Sequence, residues 1–296
     1  MEDLIKNILN SEKIKFKTIT KAASGFTNAV YFIDDDFVIK LSSNDSIKIL
    51  LEKEISLYKN LKIKNIPQYI TSGDFEDFKY LIISKIEGKG LYSIWHTLSS
   101  EERTKCVKSI AKILKEFNSQ DYEFLSDKYK EFNWIQHMSN ELKSKSKSLS
   151  EMGYNTTKLD DFISNDLNIL FSENKFGLVY NDAHFDNFIY NAGELALIDF
   201  DRVRVCPIDY EMLIFKTMCD MPWKFASEED EDNVVPSDYA DIYKTFQQEY
   251  KEMFINPNVE NRIKIYQFNY CMKHAIHLKD DKWIKELLAS CDFFCR

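Results

Sequence analysis

The chain has 296 residues, of which 44% are hydrophobic and 29% charged, and its formal net charge is −9. These values are typical of a soluble globular protein, and the acidic balance argues against nucleic acid as a main partner, because phosphate backbones attract basic surfaces. The sequence contains no apolar run of bilayer length, so we expect no membrane partner. Residues 1–17 are amphipathic and mixed in charge, unlike a signal peptide, and we therefore expect a cytoplasmic location.

Charge is distributed unevenly along the chain. Residues 1–90 carry 14 Lys and Arg against 13 Asp and Glu, a net of +1, whereas residues 91–296 carry 25 against 35, a net of −10. The acidic excess therefore belongs to the later part. An acidic surface around a pocket in that part would favour a cationic ligand.

The N-terminal part of the chain has the sequence pattern of a β-hairpin followed by a helix. Strand-like runs at 29–33 and 37–41 flank the polar turn Asp34–Asp36, which predicts the hairpin. Helix-capping residue types at 44–46 predict a helix that continues to Leu61.

Two more strands are predicted around a turn at Gly73–Asp74, and the tetrapeptide EGKG at 87–90 is predicted to be a linker. We therefore expect residues 1–90 to form one domain, an antiparallel sheet with one helix.

Two charged residues in this domain occupy apolar faces. Lys40 shares a strand face with Val38, and Glu54 shares a helix face with Leu51 and Tyr58. A Lys40–Glu54 ion pair explains both positions, since a buried charge requires a partner. The alternative is two independent side chains that extend to solvent.

The later part, residues 91–296, is predicted to be a mainly helical domain with one strand-like island at 178–201. Helical periodicity appears in the segments 103–118, 128–171, 209–221, 238–254 and 259–289.

The island contains polar residues that a hairpin brings together. Residues 188–190 and 195–198 flank a tight turn, and pairing back from it places Asn187 beside Asp199 at the open end. Carboxylate and amide oxygens gathered at one place suit Mg²⁺, which also keeps phosphate oxygens and waters as ligands. A further carboxylate in the preceding loop, Asp182, is suited to accept the proton of a hydroxyl. A phosphoryl transferase requires these groups: ligands for a metal ion and a carboxylate that accepts the proton of the hydroxyl.

The same residues carry a resemblance to a known superfamily. The spacing from Asp182 to Asn187 resembles the D-x-x-x-x-N catalytic loop of kinases, and Asp199–Asp201 stands where protein kinases have D-F-G. The chain resembles the aminoglycoside phosphotransferase and choline kinase superfamily. Further elements of that superfamily are matched, in the same order, by residues 23–33, 85–88 and 207–211.

The resemblance implies an α+β, protein-kinase-like fold of two lobes, with the nucleotide, ATP or GTP, bound by the N-terminal lobe. It implies that Asp182 is the catalytic base and that Asn187 and Asp199 hold Mg²⁺. It implies that Lys40 contacts the α- and β-phosphates and is held by Glu54. The remaining nucleotide contacts that it implies are Ser24, Gly25 and Asn28 in the phosphate loop and Ser84 and Ile86 near the hinge.

Two features depart from the superfamily pattern. Tyr180 stands two residues before Asp182, where the superfamily usually has a histidine that supports the loop. The phosphate loop contains a single glycine, Gly25, so the resemblance does not decide between ATP and GTP.

Two other functions stay open. Asp182, His184 and Asp186 have the alternation of a metal-ligand run, as in a metallohydrolase, although such sites normally recruit more histidines than this chain offers. A nucleotide-binding pseudokinase would keep the fold without transfer, but the set of predicted catalytic residues is complete.

The segment 227–241 contains seven acidic residues and no basic residue. It is either one wall of a pocket that binds a polycationic acceptor or a solvated loop. We predict transfer of the γ-phosphate to a hydroxyl of a small cationic molecule, as in aminoglycoside phosphotransferases. The aromatic residues Trp223 and Phe225 favour the alternative, choline or ethanolamine kinase activity, because aromatic faces bind quaternary ammonium groups. The candidate acceptor contacts are Asp209, Glu211, Asp220 and Trp223.

Overall fold

The computed structural model describes residues 1–22, 29–226 and 230–290. The chain forms two compact units. The first consists of Met1–Ile94, Glu123–Leu125 and Phe185–Asp201, and the second of Trp95–Tyr122, Ser126–His184 and Arg202–Arg296.

The strands are β1 (Ile19–Lys21), β2 (Ala29–Ile33), β3 (Phe37–Ser42), β4 (Tyr69–Phe75), β5 (Phe78–Ser84), β6 (Lys89–Gly90), β7 (Phe176–Val179), β8 (Phe188–Asn191), β9 (Glu194–Leu197) and β10 (Arg204–Pro207). The α-helices are α1 (Glu2–Ser11), α2 (Asp45–Asn60), α3 (Leu91–Trp95), α4 (Ser100–Asn118), α5 (Trp134–Glu151), α6 (Thr157–Asn165), α7 (Leu167–Leu170), α8 (Met212–Asp220), α9 (Ile242–Glu249), α10 (Val259–Leu278) and α11 (Asp281–Ser290).

The first unit contains a five-stranded antiparallel sheet in the order β1-β2-β3-β5-β4. The predicted hairpin β2–β3 is confirmed, and its turn residue Asp34 has a positive φ of 49°. The Asp34 carboxylate accepts hydrogen bonds from the backbone N–H groups of Thr18 at 2.7 Å and Lys17 at 3.1 Å. These bonds connect the turn to the residues that precede β1. The predicted helix is α2, and its cap Asn44 accepts the N–H groups of Ser46 and Ile47.

The turn predicted at Gly73–Asp74 is wrong, because β4 continues to Phe75 and the chain reverses at Glu76, where φ is +52°. Gly73 pairs with Tyr80 across the sheet, and a Cβ at Gly73 would lie 2.7 Å from the Tyr80 hydroxyl. The glycine is therefore needed for a close side-chain contact within the sheet.

A hydrophobic core covers one face of this sheet. The apolar side of α1 packs there, and the cluster is fully or almost fully buried: Ile5, Ile8, Leu9, Ile33, Ile39, Leu41, Tyr80 and Ile82. Each large apolar side chain buried in this way contributes roughly 1.5–3 kcal/mol.

A second sheet of the first unit has the order β6-β8-β9. The hairpin β8–β9 has the predicted register, with Tyr190 opposite Leu195 and Phe188 opposite Leu197. The segment 87–90, predicted to be a linker, contains β6, which pairs with β8.

The second unit is mainly helical. The predicted helix at 128–171 is divided, since α5 ends before Gly153, whose φ is +88°. The predicted helix at 259–289 is also divided, at Lys279, which has a left-handed conformation. Strand β10 was not predicted; it pairs with β7 in an antiparallel sheet of this unit.

The predicted fold class is confirmed: an antiparallel sheet occupies the N-terminal part, and the rest is mostly helical. One helix was predicted in residues 1–90, whereas the structure has α1 there as well as α2. None of the helices in the described ranges combines the length and the apolar character that a membrane crossing requires.

Candidate active site

The first unit contains the predicted ion pair of Lys40, on β3, with Glu54, on α2. Lys40 Nζ lies 2.5 Å from Glu54 Oε1 and 3.0 Å from Asp199 Oδ1. Glu54 has no exposed surface, and only 7% of Lys40 is exposed. Burial lowers the pKa of Lys40, but the carboxylates of Glu54 and Asp199 raise it by more, so its pKa is well above the ordinary value. The lysine therefore carries a permanent positive charge, suited to phosphate oxygens.

Hairpin β8–β9 positions the two predicted metal ligands. The Ile198 N–H donates to the Asn187 carbonyl at 3.0 Å, which extends the hairpin pairing to its open end, where Asn187 and Asp199 lie as predicted. Asn187 is buried, whereas the Asp199 side chain is 44% exposed. Asp199 has φ +63°, a conformation that non-glycine residues rarely adopt and that is enriched at functional sites.

Helix α2 holds the segment that follows Asp199. The Phe200 N–H donates to Glu54 Oε1 at 3.3 Å, and the Phe200 ring packs against Tyr58 with centroids 4.8 Å apart. Lys53, only 5% exposed, donates from Nζ to the Asp201 carbonyl. Lys53 was not predicted to belong to the site, because a lysine on a helix is ordinarily solvent-exposed.

Asn187 and Asp199 fit a magnesium ion by their chemistry, since amide and carboxylate oxygens are the ligands that this hard cation prefers. They come from one hairpin of one unit and supply two donors, so most of the coordination would fall to phosphate oxygens and waters. Within residues 1–22, 29–226 and 230–290, no group of three or more His, Cys, Asp or Glu side chains is arranged to hold a metal.

In the second unit, Asp182 lies in a loop that Glu211 anchors. Glu211 accepts the N–H groups of Tyr180 at 2.8 Å and Asn181 at 3.1 Å, and the Asn118 side-chain amide at 3.2 Å. Glu211 has no exposed surface, and burial raises its pKa to about 7 although all three hydrogen bonds lower it. Glu211 was predicted to contact the acceptor; its burial and its three donors favour support of the loop instead.

Tyr180, at the position where the resemblance led us to expect histidine, is fully buried. Its ring meets Phe117 of α4 edge-on, with centroids 5.9 Å apart. The tyrosine therefore anchors the loop by packing into the core of the second unit.

The Asp182 carboxylate has two basic neighbours within its own unit. Arg202 Nε lies 3.7 Å from Asp182 Oδ1, and His184 Nε2 lies 3.6 Å from Oδ2. The Asp182 side chain keeps 15% of its surface exposed. Arg202 was not predicted; the only signal in the sequence was its place directly after Asp199–Asp201.

The other predicted acceptor residues have different surroundings. Asp209 is buried and lies 3.1 Å from Arg262 Nε, and Tyr266 donates to it at 3.2 Å. Asp220, on α8, pairs with Lys216 and accepts the Gln267 amide at 2.9 Å. Trp223 lies in a short 3₁₀ turn, and 46% of it is exposed.

The predicted nucleotide contacts are only partly described. Ser24, Gly25 and Asn28 lie outside the described residues. Ser84 ends β5, and its hydroxyl accepts the Gln68 N–H at 2.8 Å, whereas Ile86 is partly buried in the segment that follows.

The glycine of that segment, Gly88, has φ +134°, and a Cβ there would lie 2.4 Å from the Tyr190 carbonyl of β8. Only glycine allows this close approach of the two backbones.

Residues 18–234 match a family described as "Phosphotransferase enzyme family". No curated protein matches the chain in a sequence search. Several solved structures have the same fold.

A streptomycin–ATP–APH(2″)-IIa ternary complex is 21% identical, with 98% of this chain and 96% of that chain covered and a TM-score of 0.69. ADP-bound aminoglycoside phosphotransferase APH(2″)-Ib is 19% identical, with coverages of 99% and 98% and a TM-score of 0.67. Macrolide 2′-phosphotransferase MphH from Brachybacterium faecium is 12% identical, with coverages of 98% and 98% and a TM-score of 0.62.

Proposed function

The chain belongs to the phosphotransferase enzyme family and is a small-molecule kinase, and on that premise we propose that it transfers the γ-phosphate of ATP or GTP, with Mg²⁺, to a hydroxyl group of a small molecule. The observation that carries this proposal is the buried Lys40, held by Glu54 and by Asp199 at 3.0 Å. A buried lysine can bind the phosphates of a nucleotide, and a partly exposed carboxylate beside it can bind the metal ion that accompanies them.

On the nucleotide side, Lys40 contacts the α- and β-phosphates, and Glu54 fixes its direction. Asn187 and Asp199 hold Mg²⁺, which neutralises charge on the phosphate oxygens when it is bound. The further nucleotide contacts that we propose are Ser24, Gly25, Asn28, Ser84 and Ile86.

On the acceptor side, Asp182 is the base. Its carboxylate accepts a hydrogen bond from the acceptor hydroxyl, and takes the proton as the oxygen forms its bond to the γ-phosphorus. The bond between that phosphorus and the β,γ-bridging oxygen breaks, so the products are a phosphate ester and a nucleoside diphosphate. Glu211 holds the loop that aims Asp182.

The first acceptor class to test is cationic and of the aminoglycoside type. The net charge of −10 over residues 91–296 supports it, as does the streptomycin in the similar ternary complex. Choline or ethanolamine is the second class, supported by the exposed ring of Trp223. Asp220 and Trp223 stay candidate contacts, whereas Asp209 and Glu211 have buried partners in the protein.

We also propose a division of labour in which residues 1–90 bind the nucleotide and residues 91–296 carry catalysis and the acceptor. We propose a cytoplasmic location and, on the net charge of −9, no nucleic-acid partner.

The test is Mg²⁺-dependent release of ADP or GDP in the presence of aminoglycosides, choline, ethanolamine and sugar alcohols. Asp182→Ala should abolish transfer and leave the binding of a non-hydrolysable nucleotide unchanged in calorimetry. The matched control is Asp161→Ala, which removes the same charge from an exposed position of α6. Full activity of Asp182→Ala would show that another group is the base.

A further inference from the structure

The charged side chains beside Asp182 in the second unit indicate which chemical class of acceptor the protein binds. This inference rests on the proposed function, in which Asp182 is the base. The guanidinium of Arg202 lies 3.7 Å from the Asp182 carboxylate, and the Arg202 side chain is 56% exposed. His184 lies near the other oxygen of the Asp182 carboxylate. The centroids of the His184 and Phe225 rings are 6.1 Å apart. An arginine that is mostly exposed beside a catalytic base is available to a ligand as well as to the base.

Helix α10 extends the basic character of this region. The phenol of Tyr270 responds to both groups, since Arg202 lowers its pKa and Asp182 raises it, while burial dominates and raises it overall. His274 packs edge-on against Tyr270 with centroids 4.6 Å apart. After burial, the neighbouring cations Lys273, Lys224 and Arg202 are among the groups that lower the pKa of His274. Arg202, Lys224 and Lys273 therefore all contribute positive charge near His274 of α10.

Lys224 is held in place by an aromatic ring. Its Nζ lies 3.5 Å from the centroid of the Trp283 ring on α11, in a cation–π contact. Lys224 is itself exposed, so its charge is accessible to a ligand.

Three acidic residues of the second unit have a basic partner in the protein. Asp220 pairs with Lys216, Asp209 lies against Arg262, and Asp238 of the segment 227–241 pairs with Arg103. Arg202, by contrast, places a mostly exposed positive charge directly beside Asp182. A cationic group placed against Arg202 would be repelled by its guanidinium, whereas an anionic group would be attracted.

The geometry points to an acceptor that carries an anionic group, a carboxylate or a phosphate, close to the hydroxyl that faces Asp182, with Arg202 as its main contact. The planar guanidinium binds either group in a bidentate manner. Lys224 adds a second positive charge, and the rings of Tyr270 and Phe225 supply the apolar walls. This class competes with the aminoglycoside and choline classes, which are supported by the net charge of residues 91–296 and by Trp223 rather than by the groups beside Asp182, and it shares with them only the hydroxyl.

Four polyols of matched length separate these classes: neutral glucitol, the carboxylate gluconate, the phosphate ester glucitol 6-phosphate and the cationic glucamine. Calorimetry with the full chain and a non-hydrolysable ATP analogue measures their binding without requiring transfer. We expect one or both anions to bind at least tenfold more tightly than glucitol and glucamine, and whichever anion binds better identifies the group. Arg202→Gln should weaken the better anion by roughly tenfold or more. The control Lys282→Gln removes the same charge from an exposed position of α11 and should leave binding unchanged.

Tighter binding of glucamine than of both anions, or no anion binding at all, would overturn the inference. Anion affinity that survives Arg202→Gln would do the same. Loss of turnover with every acceptor at unchanged affinity would instead assign Arg202 to the transferring phosphate. The proposed function is tested separately by the Mg²⁺-dependent release of ADP or GDP and its loss in Asp182→Ala, whereas anion binding is measured without turnover, so either idea can fail alone.

Discussion

Glu211→Gln isolates the pH dependence that one buried carboxylate gives to the stability of the protein. Burial raises the pKa of Glu211 from its ordinary 4.5 to about 7. The folded state therefore binds more protons than the unfolded state between these values. The contribution of Glu211 to stability is fully present below about pH 4.5 and is lost as the pH rises through about 7.

The magnitude follows from the size of that shift. The rise in pKa from 4.5 to about 7, at 1.36 kcal/mol per pKa unit, corresponds to about 3 kcal/mol. Glutamine does not titrate, so the variant lacks this pH-dependent contribution. Its amide places a donor against Tyr180, Asn181 or Asn118, which adds a penalty that does not change with pH.

The assay is urea unfolding of both proteins at several values between about pH 4.5 and about pH 8, followed by tryptophan fluorescence. The free energy of unfolding of the wild type should fall relative to that of Glu211→Gln by about 3 kcal/mol across this range. A constant difference between the two proteins, or a change of the opposite sign, would refute the reasoning. Asp161→Asn, an exposed carboxylate of the same unit, is the control.

Two further predictions concern the first unit. Lys40→Met should destabilise the protein by about 3–5 kcal/mol in urea unfolding, because Glu54 is left buried without its cation, and the double variant Lys40→Met with Glu54→Met should recover most of this loss. No recovery in the double variant would argue that packing, rather than charge, explains the loss. Gly88→Ala should lower the free energy of unfolding by more than about 1 kcal/mol, since the new Cβ meets the Tyr190 carbonyl and φ is positive. Gly193→Ala also has a positive φ, but with nothing within 4 Å of its Cβ, and equal losses in the two variants would exclude the steric explanation.

Local patterns predicted the elements that depend on neighbouring residues. The hairpin β8–β9 has the register that its turn implies, because pairing outward from a tight turn leaves little freedom. The Lys40–Glu54 pair was predicted as one of two interpretations, because two opposite charges on apolar faces each require a partner. The family and the fold class predicted from the ordered motifs are confirmed.

Contacts between distant segments could not be predicted in this way. Lys53 can be buried because the Asp201 carbonyl, far along the chain, accepts a hydrogen bond from its ammonium group. Glu211 was assigned to the acceptor because an acidic side chain is ordinarily exposed, whereas here the loop before Asp182 supplies its hydrogen bonds. The sequence around Gly73 predicts a turn, because the Tyr80 ring that requires the glycine belongs to another strand. Each of these assignments depends on tertiary contacts, which override local preference.

The attachment of α2 to residues 199–201 has a thermodynamic consequence. Through Lys53, Glu54 and Tyr58, the helix contacts the backbone and side chain of the segment that contains Asp199. Any ligand that fixes Asp199 should therefore also slow hydrogen exchange at the backbone amides of α2, and a substitution that frays α2 should weaken that ligand by up to the free energy by which the ligand stabilises the helix. The helix thus reports on a ligand at Asp199, a residue that follows it by more than a hundred positions in the sequence.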